Sequence, residues 1–88
     1  MSNSQCDPQY FAILAMRGGQ VQPLSLRTSY RFDEVKSKVQ EHWPGVSKIQ
    51  VFWHGIRKWS QLTDKNCQVT LELLKQRNGI DHLDVDTW

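Results

Sequence analysis

The side chains whose types and spacing could do chemistry in this chain fall into a few small groups. Arg17, Arg27, Arg31, Arg57 and Lys58 offer a platform for carboxylates, because a guanidinium presents a planar fork of donors that meets a carboxylate two bonds at a time. Phe52 lies in an alternating stretch with polar neighbours, the setting of an aromatic anchor inside a polar rim. His42, His54 and His82 have no metal-ligand spacing with one another or with Cys6 and Cys67, so neither a metal nor a cofactor is expected. Cys67 falls on an apolar stripe, where a thiol is a small buried hydrophobe; a nucleophile needs an exposed, electropositive setting and a base. Arg17-Gly18-Gly19 is a single Arg-Gly-Gly unit between two apolar runs and reads as a turn.

Size weighs against catalysis as well. A chain of 88 residues supports one domain, and such a domain buries only roughly 60–65% of the surface its unfolded chain exposes. A deep, water-excluding pocket has little room to form. The net charge of +2 is too weak to argue for nucleic acid, but its distribution is uneven. Residues 1–60 carry eight Lys and Arg against four acids, a local +4, whereas residues 61–88 carry three against five, a local −2. If each bias has its own face, the surface is dipolar and can steer a partner or stack head to tail through Asp81, Asp84 and Asp86. The N-terminal residues lack a basic-then-apolar signal, no apolar run approaches the roughly 18 residues of a membrane span, and two cysteines make no disulfide framework. The cytoplasm, or the nucleus, is the expected compartment.

The elements that must position these groups follow from changes of period. Residues 1–9 are polar with a proline and read as a flexible lead-in. Tyr10 to Met16 is an apolar run, turned by Gly18-Gly19 into Val21 to Leu26, so a hairpin is expected. Pro23 lacks an N–H and places the second strand near an edge or a bulge. Phe32, Val35, Val39 and Trp43 then recur at helical spacing, with Asp33 and Glu34 in the first turn and Pro44-Gly45 as the stop. Lys48 to His54 alternates, with Ile49, Val51 and Trp53 inward and Gln50, Phe52 and His54 outward. Gly55 breaks the run, and Arg57 to Leu62 forms a short strand back. Asp64 to Arg77 reads as a second helix with a stripe of Cys67, Leu71 and Leu74 widened by Leu73, capped by Asn78-Gly79. Leu83 and Val85 alternate with His82, Asp84 and Asp86 in a closing strand. Trp43, Trp53 and Trp59, at element boundaries or on the inward face, are assigned to packing. The result is an α+β domain over residues 10–86 with a two-residue tail, 87–88. A mixed sheet of four to five strands packs on one main helix and a second helix.

That order resembles the β-grasp fold. The segment Phe32-Asp33-Glu34-Val35-Lys36-Ser37-Lys38-Val39-Gln40, after a hairpin of matching length, resembles the helix of ubiquitin-like domains. Leu62-Thr63-Asp64, the helix with Leu71-Glu72-Leu73-Leu74, and His82-Leu83-Asp84-Val85 look more like a PB1 domain. The resemblance implies a non-catalytic protein–protein interaction module, part of a signalling or scaffold protein. PB1 domains pair a basic face with an acidic one. Here the stretch His54-Gly55-Ile56-Arg57-Lys58 followed only by Asp64 lacks the acidic version, so a basic face is expected to bind an acidic partner surface. Its nearest equivalent to the family's first-strand lysine is Arg17, with Arg27 beside it on the paired strand. A ubiquitin-like domain would instead present its exposed sheet face around Phe52, with Asp84 or Asp86 as the neighbour on the last strand. The ending Asp86-Thr87-Trp88 has no diglycine, so conjugation is not expected. Neither a membrane nor a nucleic-acid partner is expected.

Overall fold

The computed structural model describes residues 9–86; the expectations for residues 1–8 and 87–88, Cys6 and Trp88 included, lie outside them. In chain order the elements are β1 (Tyr10–Arg17), β2 (Gln20–Arg27), α1 (Phe32–Gln40), β3 (Lys48–Trp53), β4 (Lys58–Gln61), α2 (Cys67–Gln76) and β5 (His82–Asp86). The five strands make one sheet in the order β2-β1-β5-β3-β4. β1 and β5 run parallel at its centre, and the other pairs are antiparallel. This is the α+β, β-grasp arrangement that the alternation of periods predicts.

Each local signal has a visible cause. Gly18 has φ +60° at the first of two turn residues, the positive φ that a two-residue hairpin turn of the II′ kind requires there. Pro23 sits on β2, an outer strand, opposite Leu14, where a missing N–H costs the sheet least. The Arg31 N–H donates to Glu34 Oε1 at 3.0 Å, occupying one N-terminal donor of α1. Both helices are shorter than their periodicity suggests. α1 stops at Gln40: His42 and Trp43 N–H both fall back on the Val39 carbonyl, and Pro44 biases the residue before it away from helix. α2 begins at Cys67 rather than Asp64, because Thr63 and Asn66 form a turn of their own. Thr63 N–H donates to Asn66 Oδ1 (2.9 Å), and Asn66 N–H donates to Thr63 Oγ1 (3.4 Å). The far end of α2 closes as a Schellman motif: Asn78 N–H bonds the Lys75 carbonyl and Gly79 N–H the Leu74 carbonyl, with φ +59° and +70°.

The core lies between the helices and one face of the sheet. Ile13 and Ala15, Leu24 and Leu26, Ile49 and Val51, and Leu83 and Val85 point inward from four strands, against Val35 and Val39 of α1 and Leu71 and Leu74 of α2. Each fully buried Leu or Val contributes about 1.5–3 kcal/mol of transfer free energy before entropy is counted. Leu73 does not widen the α2 stripe as its spacing suggests; it is 44% exposed, and Thr70 takes the buried place. Trp43 is buried and donates its indole N–H to Gln20 Oε1, tying the exit of α1 to the first hairpin. Among the described residues no helix is long and apolar enough to cross a membrane.

Candidate functional site

Because both helices cover one face of the sheet, strand alternation leaves the other face open, and its residues are set by register. Leu14 is opposite Pro23 on one side and His82 on the other; His82 is opposite Phe52, and Phe52 is opposite Trp59. Pro23, Leu14, His82, Phe52 and Trp59 therefore form one row across all five strands. At roughly 4.8 Å per strand the row is about 19 Å long. Leu14 and Trp59 stay substantially exposed, 43% and 50%, although both are large and apolar. The next row, Val21, Met16, Asp84, Gln50 and Gln61, is apolar on the hairpin side and polar on the other.

Around Phe52 the open face is aromatic. Its ring centroid lies 4.8 Å from Trp59, 4.8 Å from His54 and 5.3 Å from His82, in tilted and edge-on geometries that aromatic pairs favour. His54, just past the end of β3, and His82, on β5, bring Nε2 and Nδ1 to 2.9 Å, a hydrogen bond in which one ring donates and the other accepts. Burial and the neighbouring His54 ring hold His82 below the ordinary histidine range, against the opposing pull of Asp84 and Asp81. Beneath this cluster, Asp81 has no exposed side-chain surface. Its carboxylate accepts Arg77 Nε at 2.6 Å and Nη2 at 3.1 Å, together with the His54 backbone N–H at 2.9 Å. Burial pushes its pKa up, but the Arg77 and His54 bonds outweigh that and hold it below the usual carboxylate range.

The cations do not gather. Arg17 and Arg27 are not side by side: register pairs Arg17 with Gln20 and Arg27 with Tyr10, so they stand at opposite ends of the hairpin, seven residue steps or about 24 Å apart. The physical reason is the antiparallel turn, which reverses the chain directly after Arg17. Arg27, its guanidinium 5.7 Å from the Tyr10 ring centroid, ends β2 four residues before Arg31, the N-cap of α1. Arg57, with φ +54°, in the β3–β4 turn, and Lys58, the first residue of β4, lie at the opposite edge of the sheet from the hairpin. The acidic strand is not a separate face either: β5 is central, Asp86 is opposite Lys48, and Asp81 is buried within its own bonds.

Phe52 occupies the outward position that alternation assigns, but its neighbour on β5 is His82; Asp84 is opposite Gln50. Trp59 is not core packing: it stands on the open face beside Phe52. Sequence reasoning missed Leu14, Trp59 and His82. Within the unbroken apolar run of β1, alternation has no polar marker to tell Leu14 from Ile13. Counting back from Phe52 across the turn would have found Trp59 had the turn length been known. No group of three metal-ligating side chains occurs among the described residues. An open groove of about 620 Å³ between the first turns of the helices is lined by Arg31, Asp33, Asp64, Lys65 and Cys67. Burial first, then Asp64 and Glu34, pushes the Cys67 thiol up to about 11, so it has no thiolate character at neutral pH. No family model, curated protein or solved structure matches the chain.

Proposed function

We propose that this domain is a non-catalytic protein-interaction module that docks an amphipathic helix of its partner on the open face of its sheet, with Phe52 and Trp59 as anchors and Leu14 extending the contact. The observation that carries this reading is the row Pro23, Leu14, His82, Phe52 and Trp59, apolar or aromatic on every strand and exposed at both ends. An apolar surface of this extent with a polar rim is the usual form of a docking site. A helix suits it better than a strand for two reasons. The backbone groups under the row are engaged in the sheet ladder, so a partner must satisfy its own hydrogen bonds. A row of about 19 Å also matches about 12 residues of helix. The rim carries both signs, with Asp86 opposite Lys48 and Asp84 opposite Gln50, which suits recognition by shape and apolar contact rather than net charge.

The test is selection from a phage-displayed library of helical peptides on the immobilised domain, followed by affinity measurements at about 50 mM and about 500 mM salt. Selected peptides should be amphipathic, lose about tenfold or more in affinity on Trp59→Ala or Phe52→Ala, and respond weakly to salt. Peptides that bind the double variant as well as wild type overturn the reading. Binding that collapses at high salt and on charge reversal of Arg27 and Arg31 transfers the contact to a basic face for an acidic partner, the PB1-like alternative.

A further inference from the structure

We propose that the His54–His82 pair makes the sheet-face docking row proton-sensitive: neutral, the pair completes an uncharged row that accepts an apolar helix; doubly protonated, it comes apart and rejects one. This rests on the docking reading above.

The geometry supplies the switch. The two rings come from different elements, His54 from the turn that follows β3 and His82 from β5, and meet through one hydrogen bond, between Nε2 of His54 and Nδ1 of His82 at 2.9 Å. His82 is the central member of the row, between Leu14 and Phe52; His54 meets the Phe52 ring edge-on and His82 meets it tilted, with Trp59 6.1 Å from His82. In the neutral pair one N–H bridges the two nitrogens. A first proton taken at an outer nitrogen leaves a cationic ring next to a neutral one, and their hydrogen bond survives with charge assistance. A second proton occupies the remaining lone pair, so no acceptor is left between the rings and two like charges stand at contact distance. The rings must separate, and the row then carries two charges where a helix would bury them, which is costly without partners.

The surrounding charges do not cancel this. Asp84 on β5 and Asp81 just before it act on the pair, but Asp81 is already engaged by Arg77 and the His54 backbone N–H. Lys58 on β4, opposite Trp53, alternates to the other face of the sheet, Arg57 in the β3–β4 turn brings no carboxylate, and β1 contributes the apolar Leu14. Burial and the adjacent ring already keep His82 below the ordinary histidine range, the direction a pair resisting its second proton requires.

Two measurements on the intact domain test the inference. In an NMR titration of the free domain from about pH 8 to about pH 4.5, the His54 and His82 ring protons should titrate in two coupled steps, and the Trp59 indole resonance should move with the second. Independent titration at ordinary histidine values with a static Trp59 overturns the inference, whether or not any peptide binds. For a peptide selected as above, affinity should fall about tenfold between about pH 7.5 and about pH 5.5, with a limiting acid slope of about two protons in wild type and at most one in His54→Gln. His54 is exposed and keeps its backbone N–H in that variant, so the fold is retained. Affinity that is flat with pH, rises in acid, or has the same slope in both proteins overturns the gating and leaves the docking reading standing. A failed selection with a coupled titration overturns the docking reading alone.

Discussion

At Gly79 the backbone leaves no room for a side chain. A Cβ there would stand 2.2 Å from the Ala12 carbonyl oxygen, and φ is +70°. The residue closes the cap of α2 and lets the chain pass directly beneath β1, so two demands coincide on one position. Gly79→Ala is therefore expected to cost about 2–4 kcal/mol, from the positive φ together with a backbone shift. Gly19 is the control: nothing lies within 4 Å of its would-be Cβ and its φ is not positive, so Gly19→Ala should stay within about 0.5 kcal/mol of wild type. Urea unfolding at neutral pH reads both, and equal midpoints for the two variants would refute the argument.

At the scale of elements, Asp81 joins three of them: the exit of β3 through the His54 N–H, the end of α2 through Arg77, and the start of β5, which it immediately precedes. Asp81→Asn keeps the size but loses the charge that Arg77 and the amide answer, and about 2–3 kcal/mol of stability should go with it. The pH dependence has a definite sign. A carboxylate held below its ordinary value binds fewer protons folded than unfolded, so its contribution is complete above about pH 4 and is lost as pH falls through the lowered native value. Urea midpoints between about pH 5 and about pH 2 should fall steeply in wild type and less steeply in Asp81→Asn. Parallel curves would show that the carboxylate is not the linkage.

For the whole molecule, the division between a covered and an uncovered sheet face separates stability from binding. The helices lie on one side, where Leu71 and Val39 are fully buried; Trp59 on the other is half exposed and meets the Phe52 and His82 rings. Trp59→Ser should change unfolding free energy by about 1 kcal/mol or less, the worth of a cross-strand pair, while Leu71→Ala should cost about 2–5 kcal/mol. Paired denaturation and peptide-binding measurements check this. A Trp59 variant that unfolds as readily as the Leu71 variant would return the tryptophan to the core.

Period alone determined the elements and the inward sets Ile49 and Val51, Val35 and Val39, and Leu83 and Val85, because burial of one face imposes a repeat that the chain must carry locally. It also located Phe52 on the outer face and Pro23 on an edge. What surrounds Phe52 was decided elsewhere. Register across five strands brought His82 and Trp59 to it, set His54 against His82, and parted Arg17 from Arg27. Those pairings join residues far apart in the chain, depend on turn length and strand order, and leave no periodic trace. The candidate site therefore belongs to the tertiary structure, while the scaffold that holds it is legible residue by residue.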